Sequence, residues 1–387
     1  MKILYISPIK TNVRLGDSNH FLEIGENLLK NGNELLIICR GKEEKFEHLN
    51  IKYVPTIEIR FFTTVISEFL LTLYLSFYLF TFKPDIVYYK GISLGGIVSR
   101  IFKIPSVAEA NGIYPDEIKI ARPRFFELVG SIFKMRERMI YFSASRVICI
   151  TEGIKKELVK NYGVKSEICR VIPNGANTNL FKPMDKTACR SKLGLKENEF
   201  YLGFIGSFRA WVGLDTLIEA MGKVREEGYN RIRCILVGDG SPADYLRKMV
   251  SRYNLRNQVI FTGKIRYEEV VVFINSFDVC LAPFKRERNA KIGISPLKLY
   301  EYLACARPVI GSRLQGITEV VDGVKCGYLF EPDHAEDLAS RIIESFKERD
   351  RLPEMGINGR ALVEKSFSWE RIAQQVENVL NEAVELN

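Results

Sequence analysis

Gly293-Ile-Ser-Pro-Leu-Lys-Leu-Tyr-Glu-Tyr-Leu-Ala-Cys-Ala-Arg-Pro-Val-Ile310 reads as a loop, a helix and the opening of a buried strand. Ser295 is placed to cap the helix and Pro296 suits its first turn, which leaves backbone N–H groups at the positive end of the helix dipole facing outward, a ready anion site. Lys298 and Glu301 stand three apart on one helix face. They offer a cation for a diphosphate and a carboxylate for ribose hydroxyls. The same two residues also fit an ordinary ion pair on a surface helix, so the surrounding pattern has to decide between the two. Arg307-Pro308 ends the helix and Val309-Ile310 starts the strand.

The loop–helix–strand unit is repeated along the chain. Short apolar runs at 3–7, 35–39, 86–89, 106–109, 146–150 and 170–172 alternate with helical stretches. The rhythm restarts after Pro183, with strands expected at 200–205, 233–237, 259–262, 279–282, 308–311 and 327–330. With 387 residues the chain is too long for one core, and two domains of about 150 residues or more follow. The Pro-, Gly- and Asn-rich stretch 172–183 reads as the connection between them. The fold class is α/β with two facing, Rossmann-like, doubly wound domains. Ligand would then bind where strand carboxyl ends of both domains meet.

Composition narrows the function classes. The chain is 47% hydrophobic and 27% charged, as expected of a globular protein. Its eight cysteines are scattered, with no Cys-x-x-Cys or Cys/His pairing of zinc type, which points to a reducing cytosol. The first eight residues carry too short an apolar run for a signal peptide and read as a first strand. The net charge of +9 lies mostly in residues 1–180, which hold 25 Lys and Arg against 18 Asp and Glu. An anionic membrane face or an acidic small molecule suits that surplus; no recognised nucleic-acid module appears, so nucleic acid is not expected as a partner.

Two segments stand apart. Residues 61–82 hold one charge, Glu68, among many Phe, Leu and Tyr. Length alone permits a membrane span, whereas Glu68 and several hydroxyl residues favour a buried or membrane-touching helix. Residues 119–146 hold seven basic and two acidic residues interleaved with aromatics and Met. This pattern suits a helix lying on an anionic bilayer and equally a solvated helix with a core-facing stripe.

Read together, a series of short motifs resembles glycosyltransferase family 4, the retaining nucleotide-sugar transferases of the GT-B fold (glycosyl transferases group 1). The pieces are Gly16 after the first strand, Pro173-Asn-Gly175 with Phe181-x-Pro183, Gly206 with Gly213-Leu-Asp215, Val237-Gly-Asp-Gly240, Phe261-Thr-Gly263, the Ser295 to Glu301 segment, Pro308-Val-Ile310, Glu319-Val-Val321 and Phe367-Ser-Trp369. Each is weak singly, and their order and spacing make them strong together. The resemblance implies an acceptor domain at 1–180, a nucleotide-sugar domain at 181–366, and a last helix within 367–387 crossing back onto the first domain, with Ile372, Val376, Val379, Leu380 and Val384 as its docking stripe.

By the same resemblance, Glu301 is similar to the family's ribose-binding glutamate. Ile294, Ser295 and Leu297 would cradle the diphosphate through backbone N–H groups, Gly238, Gly263 and Ile265 would touch base and ribose, and Gly16 would close over the phosphates. Four positions depart from the family pattern: Gly293 replaces its first glutamate, Asn111 its acceptor-edge histidine, Ser207 and Val212 its diphosphate-clamping Arg and Lys, and Leu15 the first glycine of a pair. Arg209, two residues beyond Ser207, and Lys298 are the expected replacements for the missing charge, and Asn111 can still donate to a sugar hydroxyl or phosphate. Catalytic roles are expected at Asn111, Arg209 and Lys298; donor contacts at Gly16, Ser207, Arg209, Gly238, Gly263, Ile265, Gly293, Ile294, Ser295, Leu297, Lys298 and Glu301.

The implied reaction moves a glycosyl group from a UDP- or GDP-sugar to a hydroxyl acceptor, lipid-linked or polysaccharide, with retention and without a cofactor. No Asp-x-Asp motif is present and no metal is expected, since Lys298, Arg209 and the helix dipole supply positive charge. A cytoplasmic enzyme, peripheral on an anionic membrane face, is the corresponding setting. A catalytically silent nucleotide-sugar binder, and an epimerase or phosphorylase of the same fold, are the alternatives.

Overall fold

A computed structural model describes residues 1–11, 16–41, 46, 48–56 and 63–386. The chain forms two compact units, Met1–Asn174 with Trp369–Asn387, and Gly175–Ser368.

The first unit is built on seven parallel strands, β1 (Lys2–Lys10), β2 (Glu34–Arg40), β3 (Ile51–Val54), β4 (Ile86–Lys90), β5 (Ser106–Ala110), β6 (Arg146–Cys149) and β7 (Cys169–Val171), in the order β3-β2-β1-β4-β5-β6-β7. Ile3, Leu4, Tyr5 and Ile6 are all fully buried. A run without alternation is what a parallel sheet covered on both faces requires. The edge strand β3 was not expected from the sequence: only Val54 of its four residues is buried, so it carries almost no apolar pattern.

The second unit holds six parallel strands, β8 (Phe200–Ile205), β9 (Ile232–Val237), β10 (Val259–Gly263), β11 (Val279–Ala282), β12 (Val309–Ser312) and β13 (Gly327–Phe330), in the order β10-β9-β8-β11-β12-β13. Both sheets reverse direction of growth beside their first strand, between β1 and β4 and between β8 and β11. At such reversals the connections leaving the two carboxyl ends diverge and open a crevice. The doubly wound α/β class read from the sequence is the observed one.

The last helix, Trp369–Glu385, packs on the first unit. It buries Ile372, Ala373, Val376, Val379, Leu380 and Ala383, whereas Val384, expected in this stripe, is 37% exposed. Polar contacts at its edges hold the register. The side-chain amides of Asn31 and Asn33 donate to the Glu377 carboxylate at 2.7 and 2.6 Å, and Arg146 and Arg170 donate to Glu382 at 3.3 and 2.7 Å. All eight cysteines are buried and unpaired, and burial pushes the thiols of Cys39, Cys234 and Cys326 up to about 12. Among the described residues no helix is long and apolar enough to cross a membrane.

Leu380→Ala empties a fully buried site, and the expected cost is about 2–5 kcal/mol. Val384→Ala, at the exposed end of the stripe, is expected to cost below about 1 kcal/mol. Urea unfolding of the two variants checks the difference; equal losses would place the helix phase wrongly.

Candidate functional site

The crevice of the second unit has a floor of backbone. Gly206, directly after β8, donates its N–H to Val237 O at 2.9 Å, and Gly238 donates to Gly263 O at 2.9 Å. A Cβ on Gly238 would stand 2.1 Å from the Gly206 oxygen, and its φ of +130° is one that only glycine adopts freely. The exits of β8, β9 and β10 are thereby laced together without side chains in between.

The helix Leu297–Ala304 is fixed at both ends. Near its C-terminus the Tyr302 hydroxyl, fully buried, accepts from Ile205 N–H at 2.8 Å, which ties the helix to the end of β8. Arg360 donates to Ala304 O at 2.6 Å and to Phe181 O at 2.7 Å, satisfying a carbonyl that the helix end leaves open. The first turn accordingly delivers Lys298 to the β8 terminus. Its Nζ lies 3.8 Å from the centre of the Phe204 ring and 5.6 Å from that of Phe284. It also stands 2.7 Å from where a Cβ on Gly206 would be. The ring faces attract the ammonium but replace little of its hydration. Burial therefore lowers the Lys298 pKa to about 7, with Glu301 on the same helix acting in the opposite direction.

Several expected donor contacts fall out differently. Pro296, extended at φ −80° and ψ 126°, is the residue preceding the helix, so Ser295 sits one position too early to cap it; its hydroxyl pairs with that of Tyr300 at 3.0 Å. The Ile294 N–H donates to Gln315 O at 2.9 Å and the Gly293 N–H to Asn289 O at 2.8 Å. Both N–H groups are thus engaged within the protein, whereas Leu297 and Lys298 lie in the first turn, whose N–H groups a helix leaves without intrahelical partners. Gly238 has likewise committed its N–H to Gly263. Gly263 itself has nothing within 4 Å of the place a Cβ would occupy, and Ile265 beside it is half-buried, so open space remains there.

Gly293 explains the missing glutamate. It ends the helix Arg286–Ile292 at φ +65° and ψ −178°, a backbone region essentially confined to glycine, and an added Cβ would lie 3.2 Å from Gln315 O. The backbone, more than the chemistry, dictates the residue. Ser207 and Arg209 are exposed beside the crevice, and Val212 is core, 3% exposed. Sequence reading did not single out Phe204, Phe284 or Tyr302, which set the position and basicity of Lys298. It also missed Lys285, which pairs with Asp215 at 2.6 Å next to the Ala210–Val212 turn. An aromatic closing a buried strand just before a glycine, as in Phe204-Ile-Gly206, was the available hint.

In the first unit Asn111 follows β5, and its side-chain oxygen is buried with no hydrogen-bond partner among the described residues. Such a group calls for a donor. Two residues earlier, buried Glu109 accepts from the Tyr88 hydroxyl and lies 2.8 Å from His20 Nε2. Burial would push this carboxyl up, but the charge and hydrogen bonding of His20, with Lys90 and Tyr88, outweigh it and hold the pKa at about 2. His20 Nδ1 lies 2.8 Å from Asn174 Oδ1. His20 belongs to the helix Gly16–Lys30, so its contact with Glu109 ties to β5 the helix that begins with Gly16. Gly16 is exposed, and Leu15 lies outside the described residues.

Residues 16–180 match the Glycosyltransferase Family 4 model and residues 185–362 match Glycosyl transferases group 1. This chain belongs to that family and is a glycosyltransferase. It is 24% identical over 287 residues to an uncharacterized glycosyltransferase of Methanocaldococcus jannaschii, covering 72% of this chain and 68% of that protein. In fold it resembles sucrose-phosphate synthase from Thermosynechococcus elongatus, with TM-score 0.84, 21% identity and 100% of both chains covered. It also resembles Anabaena HepE in complex with UDP and glucose, with TM-score 0.75, 21% identity, and 98% and 99% of the two chains covered.

Lys298 is titratable near neutrality, and the sign of its effect follows. Its folded pKa of about 7 lies below that of an unfolded lysine, so the folded state binds fewer protons between about pH 7 and 10, and stability rises with pH across that window. Lys298→Met is therefore expected to stabilise the protein most below pH 7 and least above pH 10. Thermal midpoints of the two proteins across that range check it, and a constant gap would disprove the desolvated lysine.

Proposed function

We propose that the second unit binds a UDP- or GDP-sugar with its diphosphate on Lys298 and the first turn of the Leu297–Ala304 helix, with the ribose on Glu301. The observation that carries this reading is the Lys298 ammonium, held on the Phe204 ring at the strand-order reversal of a family-4 glycosyltransferase fold. HepE, whose structure holds UDP and glucose, supports the choice of a nucleotide-sugar. Arg209, exposed at the same strand end, adds a second cation.

The acceptor hydroxyl, on a lipid-linked or polysaccharide chain, attacks the anomeric carbon from the face the diphosphate leaves. The C1–O bond to phosphate breaks as the new C1–O bond forms, and the acceptor proton passes to the departing phosphate oxygen. Configuration is retained. Lys298 and the helix N-terminus stabilise charge growing on the leaving oxygen, a stronger interaction at the transition state than in the bound donor. In the first unit, Asn111 offers its unpartnered side-chain oxygen to a sugar hydroxyl. The donor is a substrate and no cofactor enters; positive charge from side chains and helix takes the part of a metal.

Lys298→Met is expected to lower kcat about a hundredfold or more. Glu301→Ala is expected chiefly to raise the donor KM, by about ten- to a hundredfold. Turnover is expected to survive EDTA, and the product anomer, read by NMR, to match the donor's. Inversion would overturn the mechanism, and donor binding without turnover on a broad acceptor panel would favour the silent binder. Donor affinity is expected to stay flat below about pH 7 and to fall above it by up to about tenfold per unit, as the lysine loses its proton. Calorimetric titration with nucleoside diphosphates checks this, and Lys298→Met should abolish the slope.

A further inference from the structure

We infer that the first unit carries a docking face for an anionic lipid bilayer, built on the helices Thr63–Thr81 and Pro123–Phe142. The inference stands whether or not the chain transfers a sugar. Thr63–Thr81 is apolar nearly all round, a property that suits a helix enclosed in a core or in lipid. Its inner stripe, Leu71, Leu75 and Leu79, is buried. Its outer stripe, Val65, Phe69, Leu73, Phe77 and Phe80, is between 50% and 72% exposed. Soluble monomers rarely present so continuous an apolar ridge.

The polar groups of this helix are arranged for a place without water. Ser67 donates to Thr63 O at 2.6 Å, Thr72 to Glu68 O at 2.7 Å, Ser76 to Thr72 O at 2.9 Å and Thr81 to Phe77 O at 3.0 Å. These four hydroxyls thus spend their protons on their own helix, an arrangement that also serves where lipid offers no acceptor. Glu68, the one charged residue in the helix, is neutralised by Arg136 and accepts from Ser93 Oγ at 2.9 Å.

Arg136 belongs to the second helix, so this ion pair links the two helices, and Gly95–Ile101 packs against both. On the second helix Phe125, Leu128, Ile132, Met135 and Phe142 are exposed. Their spacing, three and four residues from Phe125 to Met135 and seven on to Phe142, would equally form a seam for a second copy of the chain. The charges choose between these occupants. Arg124 and Arg138 flank the seam at equivalent positions, with Arg122 and Lys134 also exposed and Glu127 the one exposed acid of this helix. Pairing two copies would set arginine near arginine. A bilayer of anionic lipids takes the apolar stripe and all the flanking cations together.

The test is flotation of the full chain with vesicles of phosphatidylcholine alone or mixed with phosphatidylglycerol. The native protein is expected to float with the mixed vesicles and to remain largely behind with phosphatidylcholine alone. Phe69→Ser, Leu73→Ser and Phe77→Ser combined are expected to lower the bound fraction at the mixed vesicles by at least about tenfold in partition coefficient. The urea midpoint should hardly change, since these side chains are exposed. Arg122→Gln, Arg124→Gln and Arg138→Gln combined are expected to remove the preference for phosphatidylglycerol. Three results would overturn the proposal: no flotation with either vesicle, flotation unaffected by the serine changes, or equal flotation with both vesicles. A dimer in sedimentation that dissolves on Leu128→Ser and Ile132→Ser, with vesicles ignored, would assign the face to a second copy instead.

Discussion

Parallel pairing is the constraint from which the rest follows. Strands that all run one way must be joined by crossovers, and the crossovers here are helices that cover both faces of each sheet. All strand carboxyl ends then lie along one edge. Where the order reverses beside β8, two connections leave in opposite directions and the edge opens. Nothing in this step needs a functional residue; it creates the place that functional residues can occupy.

What fills that place is decided by a few short contacts. Tyr302 reaches from the Leu297–Ala304 helix to the backbone of Ile205, and Arg360 holds the helix's far end. Lys298 thereby reaches the strand terminus, with Glu301 of its own helix as the carboxylate that acts on it. Its neighbours are rings. A cation kept on aromatic faces is poorly solvated, and an incoming diphosphate would relieve that cost. The weak basicity of the lysine has its burial as the cause.

The sequence disclosed the architecture more fully than the site. Uninterrupted runs such as Ile3 to Ile6 and Phe200 to Ile205 are strong markers of strands buried on both faces. β3 escaped because an edge strand with one buried residue leaves no such mark. Lys298 and Glu301 were legible as neighbours, because helical spacing places them on one face of the Leu297–Ala304 helix. The availability of particular N–H groups was not legible: whether Ile294 and Gly293 donate to a ligand or to Gln315 and Asn289 depends on loops brought together from elsewhere in the chain. The Glu109–His20 contact was hidden for the same reason, since its partners come from a strand and a helix far apart in the sequence.

The eight enclosed thiols have a use unconnected with ligand binding. A thiol that is buried and raised toward 12 reacts through a transient opening of the surrounding structure. Cys39 lies in one unit, and Cys234 and Cys326 in the other. Alkylation followed by mass spectrometry would therefore time the breathing of each unit separately, in the unaltered protein and with no label introduced.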